Sequence, residues 1–233
     1  MEMVKKSGHI EKSASNDEDI ALINQYTLKE LKADEVFTFK LAMCDNQIDR
    51  DFEMFTENTL IGLSELYKGK TVIGDHEHLT ANQFARIYKT EIISEGNKKT
   101  LVGYCYAVKS ESNKDFIADI EGGIKKEVSV GCRVEKAICS ICGTDNRRSY
   151  CEHWGGKVYD NKQCYFMLDG ALDAYEVSFV AVPAQKNAGV IKAYGEKPIE
   201  KPIEKSVEDN TEIESDIECD LHLIDAFLFT QNN

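Results

Sequence analysis

Basic residues are in short supply: 28 Lys and Arg stand against 41 Asp and Glu, a formal net charge of −13. Phosphate backbones are held by clustered Lys and Arg, so this balance argues against nucleic acid as a partner. It also argues against docking on an anionic membrane surface. No apolar run is long enough to span a bilayer. The start, Met1-Glu2-Met3-Val4-Lys5-Lys6-Ser7, has no apolar core of the kind a signal peptide needs. A reducing, cytosolic setting is therefore expected, in which the eight cysteines serve as metal ligands or free thiols rather than disulfides. Proline is scarce too. Pro183 is the sole one in the first 195 residues, and Pro198 and Pro202 follow it.

What is present is ordinary globular composition, with 42% hydrophobic and 30% charged residues and length enough for a substantial core. The acidity is concentrated near the end. From Glu196 onward there are 11 acids and 3 lysines, a net of −8, which leaves −5 for residues 1–195. Lys197-Pro198-Ile199-Glu200 recurs as Lys201-Pro202-Ile203-Glu204, a linker-like repeat. Three regions are expected: an N-terminal extension with a helix (1–34), a main domain (35–195) with a cysteine-rich insert at about 137–160, and an acidic flexible tail (196–233).

Asn16 followed by three acids reads as a helix start. Residues 35–43 alternate as a strand, and 56–67 place Leu60, Leu63 and Leu66 on one helical face before Gly69. Residues 84–93 and 100–108 form two alternating runs around Ser94-Glu95-Gly96-Asn97-Lys98, a hairpin. A short helix is expected over 115–124, then strands over 127–134, 163–168 and 175–182. Many strands and few helices make an α+β fold. The expected form is a small closed or barrel-like, mostly antiparallel sheet flanked by helices.

Three segments offer chemistry. His76 and His78 stand in Gly74-Asp75-His76-Glu77-His78, at a strand end where an imidazole can act as a general base. Ser129 lies in Glu127-Val128-Ser129-Val130-Gly131, with a glycine that permits close backbone approach. Glu176 falls in an otherwise apolar strand, where a carboxylate is costly without a partner. Surface-turn and structural readings of each remain open at this level.

Their order is informative. Asp49-Arg50-Asp51, Gly69-Lys70, Asp75-His76, Ala85-Arg86-Ile87, Ser129-Val130-Gly131 and the run from Glu176 to Ala184 together resemble the tailed-phage prohead serine protease family. That family is related to the herpesvirus capsid-maturation proteases. The resemblance covers roughly residues 35–192. It implies an assemblin-like fold and a serine endopeptidase that cleaves scaffold and capsid-protein precursors, and itself, inside the assembling prohead in the bacterial host's cytoplasm. It implies Ser129 as nucleophile, His76 as base, and Glu176 or His78 as the third member. Phage scaffold and major capsid protein precursors would be the partners, with self-association possible and neither nucleic acid nor membrane involved. A protease-like assembly module without used catalysis, or a zinc-knuckle adaptor that binds protein, are the alternatives.

The insert reads independently of this resemblance. Cys139, Cys142, Cys151 and His153 give C-x2-C-x8-C-x-H, the donor set of a structural zinc, with Cys164 as a possible substitute ligand. Cys44, Cys105, Cys132 and Cys219 are expected to be plain thiols.

Overall fold

A computed structural model describes residues 16–191. The tail, the Lys-Pro-Ile-Glu repeat, Cys219 and the first fifteen residues lie outside the described residues. Asn16 caps α1 (Asp17–Ile23), its side chain accepting the Asp19 amide at 2.8 Å. The alternating run becomes β1 (Val36–Asp45), followed by β2 (Glu53–Phe55). Thr56 then caps α2 (Glu57–Leu66), accepting the Thr59 amide at 3.2 Å and donating to Asp169 Oδ1 at 2.7 Å. Thr59 donates to the Leu168 carbonyl at 2.9 Å, so the first turn of α2 is tied to the sheet by two side chains.

β3 (Thr71–Gly74) is short. β4 (Ala85–Glu95) and β5 (Lys98–Val108) make the hairpin, with Gly96 at φ +60° in its turn. α3 (Lys114–Glu121) ends at the Gly122-Gly123 pair. It turns Phe116 onto the rings of Phe39, Phe84 and Phe179. β6 (Val128–Cys139) leads into the insert, which contains the small hairpin β7 (Val158–Tyr159) and β8 (Lys162–Gln163). β9 (Phe166–Phe179) follows, and β10 (Gly189–Val190) closes the described part. The two C-terminal strands expected over 163–168 and 175–182 are thus mostly one strand, running on through Gly170 at φ +77°.

The sheet corrects the expected closed or barrel-like form. Pairing follows an open path β10–β1–β5–β4–β3–β9–β2, with β6 on the other edge of β9. The reason lies in strand length. β10 is two residues long and cannot carry a ladder around to β6, and a single bridge, Glu127 opposite Gly189, touches across the gap. Nor is the pairing uniform: β2 and β3 both run parallel to β9, sharing one of its edges in turn. No helix among the described residues is long and apolar enough to cross a membrane.

The main core gathers Leu41, Met43, Leu60, Leu63, Val72 and Leu101 with the aromatic cluster around Phe116. A second cluster, Ile23, Val36, Tyr88 and Tyr106, packs α1 against the sheet. Burial of each such side chain contributes about 1.5–3 kcal/mol, which makes the sheet a firm platform for the loops at its edges.

Candidate functional site

The residues singled out by motif order meet through hydrogen bonds. Arg86 Nη1 donates to the Gly69 carbonyl at 2.6 Å, and the Gly69 amide donates to the Ile87 carbonyl at 2.8 Å. The Arg50 amide donates to the Ala184 carbonyl at 3.1 Å, and its guanidinium donates to the Pro183 carbonyl. The Asp-Arg-Asp loop is thereby fastened to the segment following β9. Within that loop, Asp49 Oδ1 accepts the amides of Asp51 and Glu53, both at 2.9 Å. Burial nevertheless pushes the Asp49 and Glu53 carboxyls above their ordinary range.

Parallel pairing of β3 with β9 sets Thr71 opposite Glu176, Ile73 opposite Ser178 and Gly74 opposite Phe179, so the chain leaves β3 one residue past Ser178. The turn that follows is left-handed at both Asp75 (φ 52°) and His76 (φ 55°), an uncommon conformation for non-glycine residues. It is held by Asp75 N donating to the Phe179 carbonyl at 2.9 Å, and by His76 N donating to Ser178 Oγ at 3.0 Å.

This turn delivers the imidazole to the carboxylate. His76 Nδ1 lies 2.9 Å from Glu176 Oε1. The Glu176 side chain is 3% exposed and that of His76 is 43% exposed. A buried carboxylate thus meets a ring that still faces solvent, with Nδ1 engaged and Nε2 left over. His78 Nε2 is 4.0 Å from the same oxygen, beyond hydrogen-bond reach. Of the two candidates for third member, Glu176 holds the ring and His78 stands beside it.

Ser129 sits on β6 directly across from Ser178, and Gly131 across from Glu176. Paired residues share a face, with Cβ atoms about 4.5–5.5 Å apart, so Ser129 is on the face that carries the His76–Glu176 pair. Among the described residues no hydrogen bond joins Ser129 Oγ to His76. The fold brings His76 and Glu176 into contact and leaves Ser129 one strand away. Ser129 also lies on the wall of a cavity of about 260 Å³ that is bordered by Asp49, Asp51, Glu53 and Arg147.

Two further residues shape the surroundings of the pair. A Cβ on Gly131 would sit 2.2 Å from Glu176 Oε1, so glycine here makes room for the carboxylate rather than for a substrate. Ser178 donates to Glu176 Oε2 at 2.6 Å. Glu-x-Ser on a strand puts both side chains on one face, a period-two signal hidden by the apolar neighbours. Cys132, near Ser129 in sequence, has its thiol pushed up to about 11 by burial, which makes it a poor nucleophile at neutral pH.

The second constellation is the insert. The ligand atoms of Cys139, Cys142, Cys151 and His153 all lie within 4.8 Å of one another, a Cys3His cluster capable of coordinating a metal ion. A tetrahedral zinc with Zn–S of about 2.3 Å needs donor atoms slightly closer than this upper bound. The knuckle turns at Gly143 (φ +73°), whose amide donates to the Cys139 carbonyl at 2.9 Å. Hydrogen bonds from Thr144 hold the Cys142 thiol down to about 6, so it is a ready thiolate. His153 Nδ1 is buried without a hydrogen-bond partner, an orphan that a bound metal would satisfy. The residues therefore fit a metal, with four protein ligands and no open position. Cys164 Sγ lies 3.9 Å from Cys139 Sγ, but the four-residue cluster forms without it. The base of the insert is seated on Phe52, where a Cβ on Gly156 would meet the ring at 2.6 Å.

No family model, no curated protein and no solved structure matches the chain.

Proposed function

We infer that the chain is a serine endopeptidase of phage capsid maturation, with scaffold and capsid-protein precursors, and its own tail, as substrates. Ser129 is the nucleophile, His76 the base and Glu176 the residue that orients it. The observation that carries this reading is the contact of 2.9 Å between His76 Nδ1 and the buried Glu176 carboxylate, which leaves Nε2 as the nitrogen free to work. Burying a carboxylate under a half-exposed histidine is a costly arrangement. It is what an acyl-transfer site requires of its base and orienter.

In the mechanism proposed, substrate binding brings Ser129 Oγ within reach of Nε2. The oxygen forms its bond to the scissile carbonyl carbon as Nε2 takes the proton, and the proton passes to the leaving amine as the C–N bond breaks. Water then repeats the sequence on the acyl-enzyme. In this reading the metal is zinc, held by Cys139, Cys142, Cys151 and His153, and it supplies structure to the insert rather than chemistry. The test is replacement of Ser129 by Ala, with loss of precursor and self-cleavage expected.

A second reading has its own observation. The Cys3His cluster is the more complete of the two constellations, since all four donors converge while no hydrogen bond among the described residues joins Ser129 to His76. It favours a zinc-knuckle adaptor that binds protein. Exposed Tyr150, Trp154 and Val158 on the insert give such an adaptor an apolar contact surface. Metal removal that abolishes partner binding while cleavage by the protein persists would separate the adaptor from the peptidase.

A further inference from the structure

Ser178 is fully buried, two residues beyond Glu176 on β9, on the same face of the sheet. Its hydroxyl has one donor and can accept, and both capacities are spent on the same two residues. Ser178 Oγ donates to Glu176 Oε2 at 2.6 Å and accepts the His76 amide at 3.0 Å. Glu176 Oε1 in turn meets His76 Nδ1 at 2.9 Å. The contacts close a ring that runs from the His76 backbone through Ser178 and Glu176 to the His76 imidazole. A buried serine hydroxyl needs only one partner to be satisfied. Here it fixes the second oxygen of the carboxylate and the left-handed backbone of the histidine at once.

We propose that Ser178 is a positioning residue for the His76–Glu176 pair, clamping the carboxylate in the rotamer that meets Nδ1 and the His76 backbone in the turn that presents the ring. The role rests on the reading of this pair as base and orienter. Ser178 makes and breaks no bond in the reaction. Other polar groups around the pair do not substitute for it. His78 stands 4.0 Å from the other carboxylate oxygen, Asp75 and Glu77 flank the ring in sequence, and the Tyr67 hydroxyl is committed to the Gly131 carbonyl at 3.0 Å. The Cys132 thiol, on β6 near Glu176, is a weak donor.

The test has two independent readouts on the full chain: the His76 imidazole N–H proton signal by NMR, and kcat and KM for cleavage of a scaffold-derived peptide. In Ser178→Ala the N–H signal is expected to lose its exchange protection. kcat is expected to fall on the order of tenfold to a hundredfold, the worth of one hydrogen bond to a carboxylate, with KM unchanged. Ser178→Thr, which keeps the hydroxyl, restores both. Should Ser178→Ala fail to fold, Ser178→Cys keeps the volume, weakens the donor and reads the same signals. A wild-type N–H signal and kcat in Ser178→Ala overturn the proposal, as does a loss of kcat that Thr does not rescue. If the wild type cleaves nothing, the peptidase reading fails, and the NMR signal alone decides whether Ser178 holds the pair.

Discussion

Gly131→Ala is the smallest change that attacks the centre of the site. The new Cβ would lie 2.2 Å from Glu176 Oε1 and 3.1 Å from its Cδ. Gly131 lies in β6 and has no left-handed φ, so alanine is conformationally acceptable there. On backbone grounds alone the substitution would stabilise by about 0.4–1 kcal/mol. The collision opposes this. An exposed glutamate would swing away at little cost, but Glu176 is 2% exposed and both of its oxygens are hydrogen-bonded. Displacing it costs about 1–3 kcal/mol of overpacking and about 1.5–3 kcal/mol for a charge-assisted hydrogen bond. The net expectation is destabilisation of about 2–5 kcal/mol, with loss of the His76 imidazole N–H signal and of cleavage. Urea unfolding followed by fluorescence and the NMR spectrum of the folded variant check both halves. A Gly131→Ala protein as stable as wild type, with the His76 signal in place, would refute the claim that this glycine exists to admit the carboxylate.

Other expectations follow from the same contacts. Elemental analysis should find one zinc per chain, and a strong chelator should lower the thermal midpoint and expose Cys142 and Cys151 to alkylation, while Cys44 and Cys105 stay protected by burial. Glu53 has its folded carboxyl raised by burial, so the folded state holds that proton more tightly than the unfolded chain, and stability from this group declines as pH rises through the folded value. Glu53→Gln should therefore gain stability over wild type at pH 7, and the gain should shrink toward pH 4 in denaturant titrations. Thr56→Ala removes the cap of α2 and its bond to Asp169, and should cost about 1–2 kcal/mol in the same assay.

The sequence displayed some of this clearly and hid the rest for physical reasons. The β4–β5 hairpin was legible because its register is set locally by the turn around Gly96, and α2 because its apolar spacing ends in Gly69. The insert was legible because metal ligands follow spacing, and Cys139, Cys142, Cys151 and His153 do come together. The open sheet was not. Closure depends on how many residues pair between β10 and β6, a non-local quantity that local alternation does not encode. His76 and Glu176 are a hundred residues apart and were connected by motif order, not by any periodicity. Ser178 carried no signal because a small residue in a strand looks like filler until the partner on the next strand is known, and Gly131, expected to admit a substrate, instead admits the Glu176 carboxylate.

The proposed peptidase stands or falls on Ser129 as its nucleophile. It is tested most directly by incubating zinc-replete wild type and Ser129→Ala with a scaffold-protein precursor and recording intact masses over time. Wild type should yield discrete fragments of the precursor and of the chain itself. Ser129→Ala should leave intact masses throughout, the rate being lowered by at least roughly a thousandfold. Cleavage by Ser129→Ala at the wild-type rate would contradict it.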